Sequence, residues 1–411
     1  MEQKLINYFS STRLTKRQIG VFFTEEFVSE EAIINNICTR CGAQIIESGC
    51  DNCAEFGKLE IGDRLYFLDA EQRYKQYKSE SLNLPLTKLQ KEASTFMINN
   101  HETKKDSLIW AVCGAGKTEL TFPLINNILK KGKSICFAIP RVDILYDIHE
   151  RLCFYFPEID VIILNGNEKK NNPGQIYVMT TNQVLKFKEA FEVIFIDEVD
   201  AFPYEYNPKF DYAVKRSITK TGSICYLTST PSEEMKKKEV STFIIYRRWH
   251  DYDLPVPKFR PLSLKSIERS SLPLQLKIQL RTRKRQQLWF VANIKFGEKV
   301  LQAVAGSDIN IEFVYSQDSK RRSKIEKFKS KEIDILITTT ILERGVTFDD
   351  IDVLVLDATN AMYNLASLVQ IAGRVGRKKD YQLGKVFFYH QGINEVMYEA
   401  KMQIIKMNGM F

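Results

Sequence analysis

The octapeptide AVCGAGKT at residues 111–118 restricts the fold of this chain more than any other segment. It follows an apolar run, 108–112, typical of a strand, and precedes a stretch, 119–130, whose pattern predicts a helix. Glycines at such a turn let the backbone curl until its N–H groups face an anion, and the helix dipole adds to the attraction. The segment therefore predicts a phosphate-binding loop within an α/β domain.

The side chains of this loop predict how a nucleoside triphosphate is held. Lys117 is expected to neutralise the β- and γ-phosphates, and the Thr118 hydroxyl is expected to ligate magnesium. The remaining positions offer contacts close to the phosphates: Ala111, Gly114, Ala115 and Gly116. Ala111 stands where the usual pattern has its first glycine. ATP and Mg²⁺ are accordingly the predicted ligands.

A second motif, VIFIDEVD at residues 193–200, combines an apolar strand with acids at its carboxyl end. A carboxylate at a strand end beside a phosphate loop is placed to hold the water shell of Mg²⁺, and we assign this role to Asp197. Glu198 is then placed to polarise the attacking water, and Asp200 to couple to neighbouring polar groups. Acidic tetrapeptides are common on protein surfaces, so this interpretation depends on the phosphate loop that precedes it.

From about residue 85, short apolar runs alternate with amphipathic stretches, which predicts parallel sheets covered by helices on both faces. The expected division is an N-terminal region 1–80 with a cysteine module at about 36–56, a first lobe 81–248, a proline-rich linker 249–278 and a second lobe 279–411. Predicted strands of the first lobe are 108–112, 134–139, 160–164, 176–179, 193–196, 224–227 and 242–246. Those of the second lobe are 288–292, 311–315, 333–338, 353–356 and 385–389.

Residues 370–377, QIAGRVGR, place two arginines three positions apart with small residues between them. Both guanidinium groups of Arg374 and Arg377 can then enter one cleft, where permanent planar charges suit the charge that develops on a γ-phosphate. Gln370 completes the predicted nucleotide contacts. Read alone, the segment is more typical of a solvated turn, but its position in a second α/β lobe favours an arginine-finger role, with hydrolysis dependent on closure of a cleft.

Two CxxC pairs, Cys38 with Cys41 and Cys50 with Cys53, are separated by eight residues. Each pair lets two thiolates converge, and the intervening residues suit a small hairpin, so four sulfurs can form the closed tetrahedral site of structural zinc. A reactive dithiol and an iron–sulfur cluster remain as alternatives. The other cysteines lie in or beside apolar runs and are expected to be buried hydrophobic residues: Cys113, Cys136, Cys153 and Cys225.

Composition narrows the class of protein and its partners. The chain has 59 lysines and arginines against 51 acidic residues, and its net charge of +8 permits binding to nucleic acid or anionic lipid. Basic side chains in 246–250 and 281–285 are candidates for such contacts, or instead form a solvated face or anchor the linker. The N-terminus mixes charges where a secretory signal needs an apolar core, and no window approaches the ~18 apolar residues of a membrane span. A cytoplasmic protein is expected.

The motifs stand in the order found in superfamily 2 helicases, and further segments resemble the remaining motifs of that class. Residues 86–90 resemble the adenine-reading motif, with Gln90 as its hydrogen-bonding residue. Residues 228–230 and 338–347 resemble motifs that link nucleic acid to hydrolysis. The resemblance implies contacts to the nucleic-acid backbone from Pro140, Arg141, Thr180, Thr181, Thr339 and Arg344. The chain departs from DEAD-box helicases in reading DEVD and in having Thr347 in place of aspartate.

The motor motifs together with the preceding cysteine pairs resemble the ComFA family of late-competence ATPases, which is related to PriA. The resemblance implies two RecA-like parallel-sheet lobes in tandem behind a zinc module, with ATP, Mg²⁺ and Zn²⁺ as cofactors. It implies a DNA-stimulated ATPase that drives single-stranded DNA across the membrane during natural transformation. It also implies competence proteins as partners, including a phosphoribosyltransferase-like ComFC protein and a membrane DNA channel, and it allows peripheral association with the inner face of the cell membrane.

Two other functions agree with parts of the sequence. A PriA-like replication-restart helicase shares the motor motifs, but its zinc element lies within the second half of the motor, and the 34 residues after Arg377 leave little room for a winged helix. An assembly scaffold could use the nucleotide site as a conformational switch and the cysteine module to dock a partner. Glu198 and the two arginines argue against the scaffold, because a switch that only binds nucleotide does not need them.

Overall fold

The structure, a computed structural model, describes residues 2–78, 82–166, 173–200, 207–306, 308–381 and 383–410. Its contacts divide the chain into two units, Met1–Trp110 with Lys117–Ile244, and Ala111–Gly116 with Ile245–Phe411. The larger sheets have seven and six strands, and the remaining sheets have two strands each.

The N-terminal region of the first unit consists of short elements, as expected of a segment with few long apolar runs. These are α1 (Gln3–Ser11), α2 (Lys16–Ile19), β1 (Phe27–Glu31), β2 (Ile33–Ile34), β3 (Ile37–Cys38), β4 (Gly49–Cys50), β5 (Leu59–Glu60) and β6 (Arg64–Leu68). Antiparallel pairs join β1 to β6, β2 to β3 and β4 to β5. The last two pairs carry the cysteines.

The seven-stranded sheet forms the rest of the first unit. Its elements are α3 (Lys88–Glu102), β7 (Ser107–Ala111), α4 (Phe122–Lys130), β8 (Ile135–Ile139), α5 (Val142–Tyr155), β9 (Val161–Leu164), β10 (Ile176–Thr180), β11 (Phe191–Asp197), α6 (Pro208–Ser217), β12 (Ile218–Thr228), α7 (Glu233–Lys237) and β13 (Ser241–Ile245). The strand order is β13-β7-β12-β11-β8-β10-β9, with parallel pairing from β7 through β9. Strands β8 and β11 are buried at every residue, as in a parallel sheet covered on both faces.

The N-terminal region shares one hydrophobic core with this sheet. Phe9 of α1 is fully buried and lies in the same cluster as Phe187 and Phe191, beside β11. An isolated antiparallel bridge pairs Thr12 with Phe187, and the backbone N–H of Arg13 donates to the carbonyl of Lys186 at 2.8 Å. The cysteine elements are therefore part of the first unit's packing.

The second unit is built around a six-stranded parallel sheet of order β14-β19-β18-β15-β17-β16. Its elements are β14 (Lys258–Pro261), α8 (Lys265–Glu268), α9 (Leu274–Arg281), β15 (Gln286–Phe290), α10 (Ile294–Val304), β16 (Ile311–Val314), α11 (Arg321–Lys329), β17 (Ile335–Thr338), β18 (Ile351–Val355), α12 (Leu365–Ala372), β19 (Val386–His390) and α13 (Glu395–Asn408). The strands predicted for both lobes are confirmed to within about two residues, except that β12 begins six residues before the predicted start at 224. The stretch 249–278 expected as a linker contains β14, which pairs with β19.

Candidate functional site

The phosphate loop follows β7 and takes the backbone shape that its glycines predict. Gly114 and Gly116 have φ values of 82° and 72°, which side-chain-bearing residues rarely adopt. Ala111 and Ala115 are buried, and Lys117 and Thr118 are partly exposed. A 3₁₀ turn, Glu119–Thr121, precedes α4, so the helix begins later than expected.

The acidic motif ends β11 at Asp197, and this carboxylate accepts a hydrogen bond of 2.9 Å from the backbone N–H of Glu198. Burial raises the pKa of Asp197 to about 6, while the positive charge of Lys117 acts in the opposite direction. A divalent cation at this carboxylate would favour its ionised form. Glu198 has a φ of 53°, an uncommon value for a non-glycine residue, as occurs at functional sites.

Asp200 couples the acidic motif to the end of β12, as the sequence predicts. Its two carboxylate oxygens each accept a hydrogen bond of 2.6 Å, one from Thr228 and the other from Thr230. The backbone N–H of Thr230 also donates to the Thr228 hydroxyl at 3.0 Å. All three residues are at most 5% exposed, so this network is shielded from water.

Gln90 lies in the first turn of α3 and forms a capping box with Thr87. The backbone N–H of Thr87 donates to Gln90 Oε1 at 2.8 Å, and the N–H of Gln90 donates to the Thr87 hydroxyl at 3.3 Å. These bonds fix the orientation of the Gln90 amide, which is 4% exposed. Its assignment to the adenine stays a prediction.

The candidates for nucleic-acid contact in the first unit lie at the same sheet edge as the acidic motif. Pro140 and Arg141 follow β8, and Thr180 ends β10, opposite Ile139 in the parallel register. Strand β8 also pairs with β11, which ends at Asp197, so the residues that follow β8 lie beside this carboxylate. Ligands of open α/β sheets bind at this carboxyl edge. Thr181, which begins the 3₁₀ helix Thr181–Lys186, is 1% exposed and presents little side-chain surface.

The corresponding segment of the second unit follows β17. Thr339 precedes the 3₁₀ helix Thr340–Leu342, and Arg344 is 4% exposed with its Nε 3.6 Å from Glu343 Oε1. Arg374 donates from Nε to the carbonyl of Glu343 at 2.9 Å and from a terminal nitrogen to the carbonyl of Val346. Arg374 therefore also ties the end of α12 to the segment that contains Arg344.

The other candidates of the QIAGRVGR motif lie on α12 and just beyond it. Gln370 is on the helix and is 4% exposed. Arg377 donates from Nε to the carbonyl of Gly373 at 3.1 Å. Hydrogen bonds to backbone carbonyls of their own unit therefore hold both Arg374 and Arg377.

Of the three roles that the sequence leaves open for Arg248, a nucleic-acid contact, a solvated side chain and a linker anchor, the structure favours an anchor. Arg248 is 3% exposed and donates to the carbonyls of Val375 at 2.7 Å, Gly376 at 2.5 Å and Gly373 at 3.3 Å. His250 Nε2 lies 3.0 Å from the same Gly376 carbonyl. Burial, and secondarily the charge of Arg377, lowers the pKa of Arg248 to about 10. Arg248 therefore positions the segment 373–377, which carries Arg374 and Arg377.

Several other basic candidates form ion pairs within their own unit. Arg247 lies 3.0 Å from Asp253, and Arg283 lies 2.9 Å from Asp334. Arg285 is paired with Asp350 at 2.6 Å. These pairs favour a structural role for the arginines concerned.

The four cysteines of the CxxC pairs are buried, and their sulfurs lie within 4.8 Å of one another. Arg40 Nε donates to Cys53 Sγ at 3.1 Å, and Asn52 donates to Cys41 Sγ at 3.7 Å, and such donors stabilise thiolate ligands and fix their orientation. Hydrogen bonding with Cys38 raises the pKa of Cys41. Four thiolates this close to one another need a cation to neutralise their charge. The residues present fit zinc.

Cys136 and Cys225 are buried in strands and Cys113 beside one, as expected, while Cys153 on α5 is partly exposed. Across the described ranges of the chain, no helix is long and apolar enough to cross a membrane.

Two sequence families match successive parts of the chain. The family described as "Type III restriction enzyme, res subunit" matches residues 83–233, and "Helicase conserved C-terminal domain" matches residues 271–379. Among curated proteins, competence protein ComFA of Bacillus subtilis is 34% identical, covering 87% of this chain and 80% of the relative. Competence protein ComFA of Streptococcus pneumoniae is 33% identical and covers 90% of each chain.

Solved structures agree on the fold. S. cerevisiae Dbp5 bound to RNA and ADP BeF3 superposes with a TM-score of 0.58 at 16% identity, covering 79% of this chain and 88% of that one. RecG bound to a three-way DNA junction gives a TM-score of 0.52 at 19% identity, covering 80% and 46%. The predicted fold, two RecA-like parallel-sheet lobes with an N-terminal four-cysteine element, is confirmed.

Proposed function

The chain belongs to the ComFA family of competence proteins, and on that basis we propose that it hydrolyses ATP to move single-stranded DNA during the uptake of transforming DNA. The family and the two helicase matches establish an ATP-hydrolysing, DNA-binding enzyme of superfamily 2 in competence. The parts of the function that we propose are translocation of single-stranded DNA and the passage of that DNA across the membrane.

The observation that carries the proposal is the shared carboxyl edge of the first sheet. The acidic motif on β11 is separated by only one strand from β10, which ends in Thr180, and Pro140 and Arg141 follow the strand between them. Residues that we assign to the nucleotide and residues that we assign to the nucleic-acid backbone are therefore neighbours at one sheet edge. Such an arrangement supports a motor in which the bound nucleotide changes the affinity of the enzyme for the DNA strand.

In the proposed mechanism, Lys117 binds the β- and γ-phosphates and the backbone N–H groups of 114–116 surround them. Thr118 and Asp197 would hold Mg²⁺, which supplies charge neutralisation when bound. Glu198 orients the attacking water and accepts its proton. We assign the adenine contact to Gln90.

The arginine motif of the second unit completes the proposed chemistry. We assign Arg374 and Arg377 to the charge that develops on the γ-phosphate, and Gln370 to the nucleotide. Thr339 and Arg344 are assigned to the phosphates of the strand, with Pro140, Arg141, Thr180 and Thr181 of the first unit. Because phosphate contacts carry little sequence information, we expect weak sequence preference and strong salt dependence.

The remaining proposals concern zinc and partners. Cys38, Cys41, Cys50 and Cys53 would hold Zn²⁺, which supplies a structural cross-link. We propose a ComFC-like protein and a membrane DNA channel as partners, with the enzyme working in the cytoplasm at the inner face of the membrane.

The test is ATP hydrolysis titrated in parallel with single-stranded DNA, duplex DNA and RNA. We expect single-stranded DNA to stimulate hydrolysis most, and Lys117→Ala to abolish hydrolysis while retaining DNA binding by fluorescence anisotropy. Lys130→Ala, at the exposed end of α4, is the matched control. Equal hydrolysis with and without single-stranded DNA would overturn the proposal, and efficient separation of forked duplexes would favour a restart helicase.

A further inference from the structure

The cysteine module packs on α6 through both of its CxxC pairs. Gly42, beside the first pair, has a φ of 73°, and a Cβ there would lie 2.6 Å from the ring of Tyr212 on α6. Lys209, at the start of the same helix, donates to the carbonyl of Asn52 at 2.8 Å and pairs with Glu55 at 2.6 Å. The helix therefore contacts each pair separately.

Arg216 extends this contact from the module to a third element. On α6, one turn after Tyr212, its guanidinium donates to the carbonyl of Thr39, which lies between Cys38 and Cys41. The same guanidinium donates to the carbonyl of Leu185 at 2.6 Å and to that of Phe187 at 2.9 Å. One side chain thus joins the first CxxC pair to the end of the 3₁₀ helix Thr181–Lys186.

The N-terminal region holds the end of that 3₁₀ helix from a second direction. The backbone N–H of Lys188 donates to the carbonyl of Ser11 at 2.9 Å, and its ammonium pairs with Glu30 at 2.7 Å. The start of the 3₁₀ helix follows Thr180, the residue assigned to the nucleic-acid backbone. Displacement of one end of so short a helix shifts the other, because its backbone is continuous and hydrogen-bonded.

We propose that Arg216 is a positioning residue through which the zinc-loaded module fixes Thr180 and Thr181, so that metal occupancy sets the affinity of the enzyme for single-stranded DNA. This inference rests on the proposed function. Its expected signature is a change in the DNA concentration needed for half-maximal stimulation, with the maximal rate of hydrolysis retained. Although burial lowers the pKa of Arg216 to about 10, this value is well above neutral pH. The guanidinium therefore stays charged and binds the carbonyls strongly.

The test compares the full-length wild type with Arg216→Gln, Arg216→Lys and a control, Lys215→Gln, whose side chain is 68% exposed and pairs only loosely with Asp211 at 3.8 Å. We expect Arg216→Gln to raise the half-saturating oligonucleotide concentration roughly tenfold, in both stimulated hydrolysis and anisotropy, at unchanged maximal rate. Arg216→Lys should be intermediate, because an ammonium replaces only part of the guanidinium's bonds. Zinc content is measured for every variant.

Amide hydrogen exchange separates this inference from the proposed function. Exchange at 181–188 should become faster in Arg216→Gln, and in the wild type after zinc is removed by a chelator, whether or not DNA stimulates hydrolysis. Unchanged exchange at 181–188 in both cases overturns the inference. A lower maximal rate at an unchanged half-saturating concentration also overturns it, since that is the result of a purely structural defect. If DNA neither binds nor stimulates the wild type, the proposed function fails and the inferred effect on DNA affinity fails with it. The exchange result then still shows separately whether Arg216 and the metal order residues 181–188.

Discussion

Asp200 accepts a hydrogen bond of 2.6 Å from the hydroxyl of Thr228, and so joins the acidic motif after β11 to the end of β12. The other carboxylate oxygen of Asp200 accepts an equally short bond from Thr230. Because the three side chains are buried, these hydrogen bonds are shielded from water and hold the two strand ends together.

Thr230→Val removes one of these bonds with little change in shape. We expect stimulation of hydrolysis by single-stranded DNA to fall roughly tenfold while the KM for ATP changes little, because of these two side-chain bonds only the one from Thr228 to Asp200 then remains. Steady-state hydrolysis with and without oligonucleotide measures this. Thr219→Val is the matched control, since its hydroxyl donates to Glu192 near the opposite end of β12. An equal loss in the two variants would contradict the prediction.

Arg248→Ala should loosen the turn that carries Arg374 and Arg377. Each of three backbone carbonyls of 373–376 loses one donor, so we expect kcat to fall more than about tenfold with a smaller change in the KM for ATP. The adjacent Arg247→Ala, which removes an ion pair with Asp253, should have little effect. A change confined to KM would show that Arg248 does not act through the arginines.

Cys41→Ser should reduce the bound metal and lower the midpoint of thermal unfolding. Wild-type protein is expected to carry roughly one zinc ion per chain, since four sulfurs complete the coordination. Elemental analysis and thermal denaturation measure both effects, with Cys153→Ser on α5 as the control. Iron in place of zinc, or full stability of metal-free protein, would count against a structural zinc site.

His101 should make the fold sensitive to acid. Burial lowers the pKa of His101 below 6.5, although nearby Glu192 opposes this, and the ring Nδ1 lies 2.9 Å from the Ser223 hydroxyl. The unfolded chain binds a proton near pH 6.5 and the folded chain only at lower pH. Stability is therefore fully present above pH 6.5 and decreases as the pH falls below it. In chemical denaturation at pH 7.5 and 5.5, His101→Gln should lose less unfolding free energy than the wild type; parallel losses would refute the prediction.

The sequence predicts the elements that depend on local pattern. The apolar runs locate the strands, and Gly114 and Gly116 specify the loop that β7 enters. The positions of the four cysteines predict their convergence because both pairs and the hairpin between them are contained in sixteen residues, 38–53. These features need no knowledge of distant contacts.

Features that depend on distant partners were not predicted. Strand β14 lies in a stretch with prolines and charges, and becomes a strand by pairing with β19, more than a hundred residues away. The sequence around Arg248 is typical of a protein surface. The position of its side chain is set by backbone carbonyls 125 to 128 residues further along the chain. Arg216 and Thr39, which are also in contact, lie 177 residues apart in the sequence.

The central claim is that hydrolysis moves the enzyme along single-stranded DNA. Its most direct test is ATP-driven release of streptavidin from a biotin at either end of a single-stranded oligonucleotide. We predict release from one end in the wild type, and none in Glu198→Gln, which should still bind the strand because the role proposed for Glu198 is confined to the attacking water. Absence of release from both ends, with hydrolysis still stimulated by the same oligonucleotide, would contradict the account.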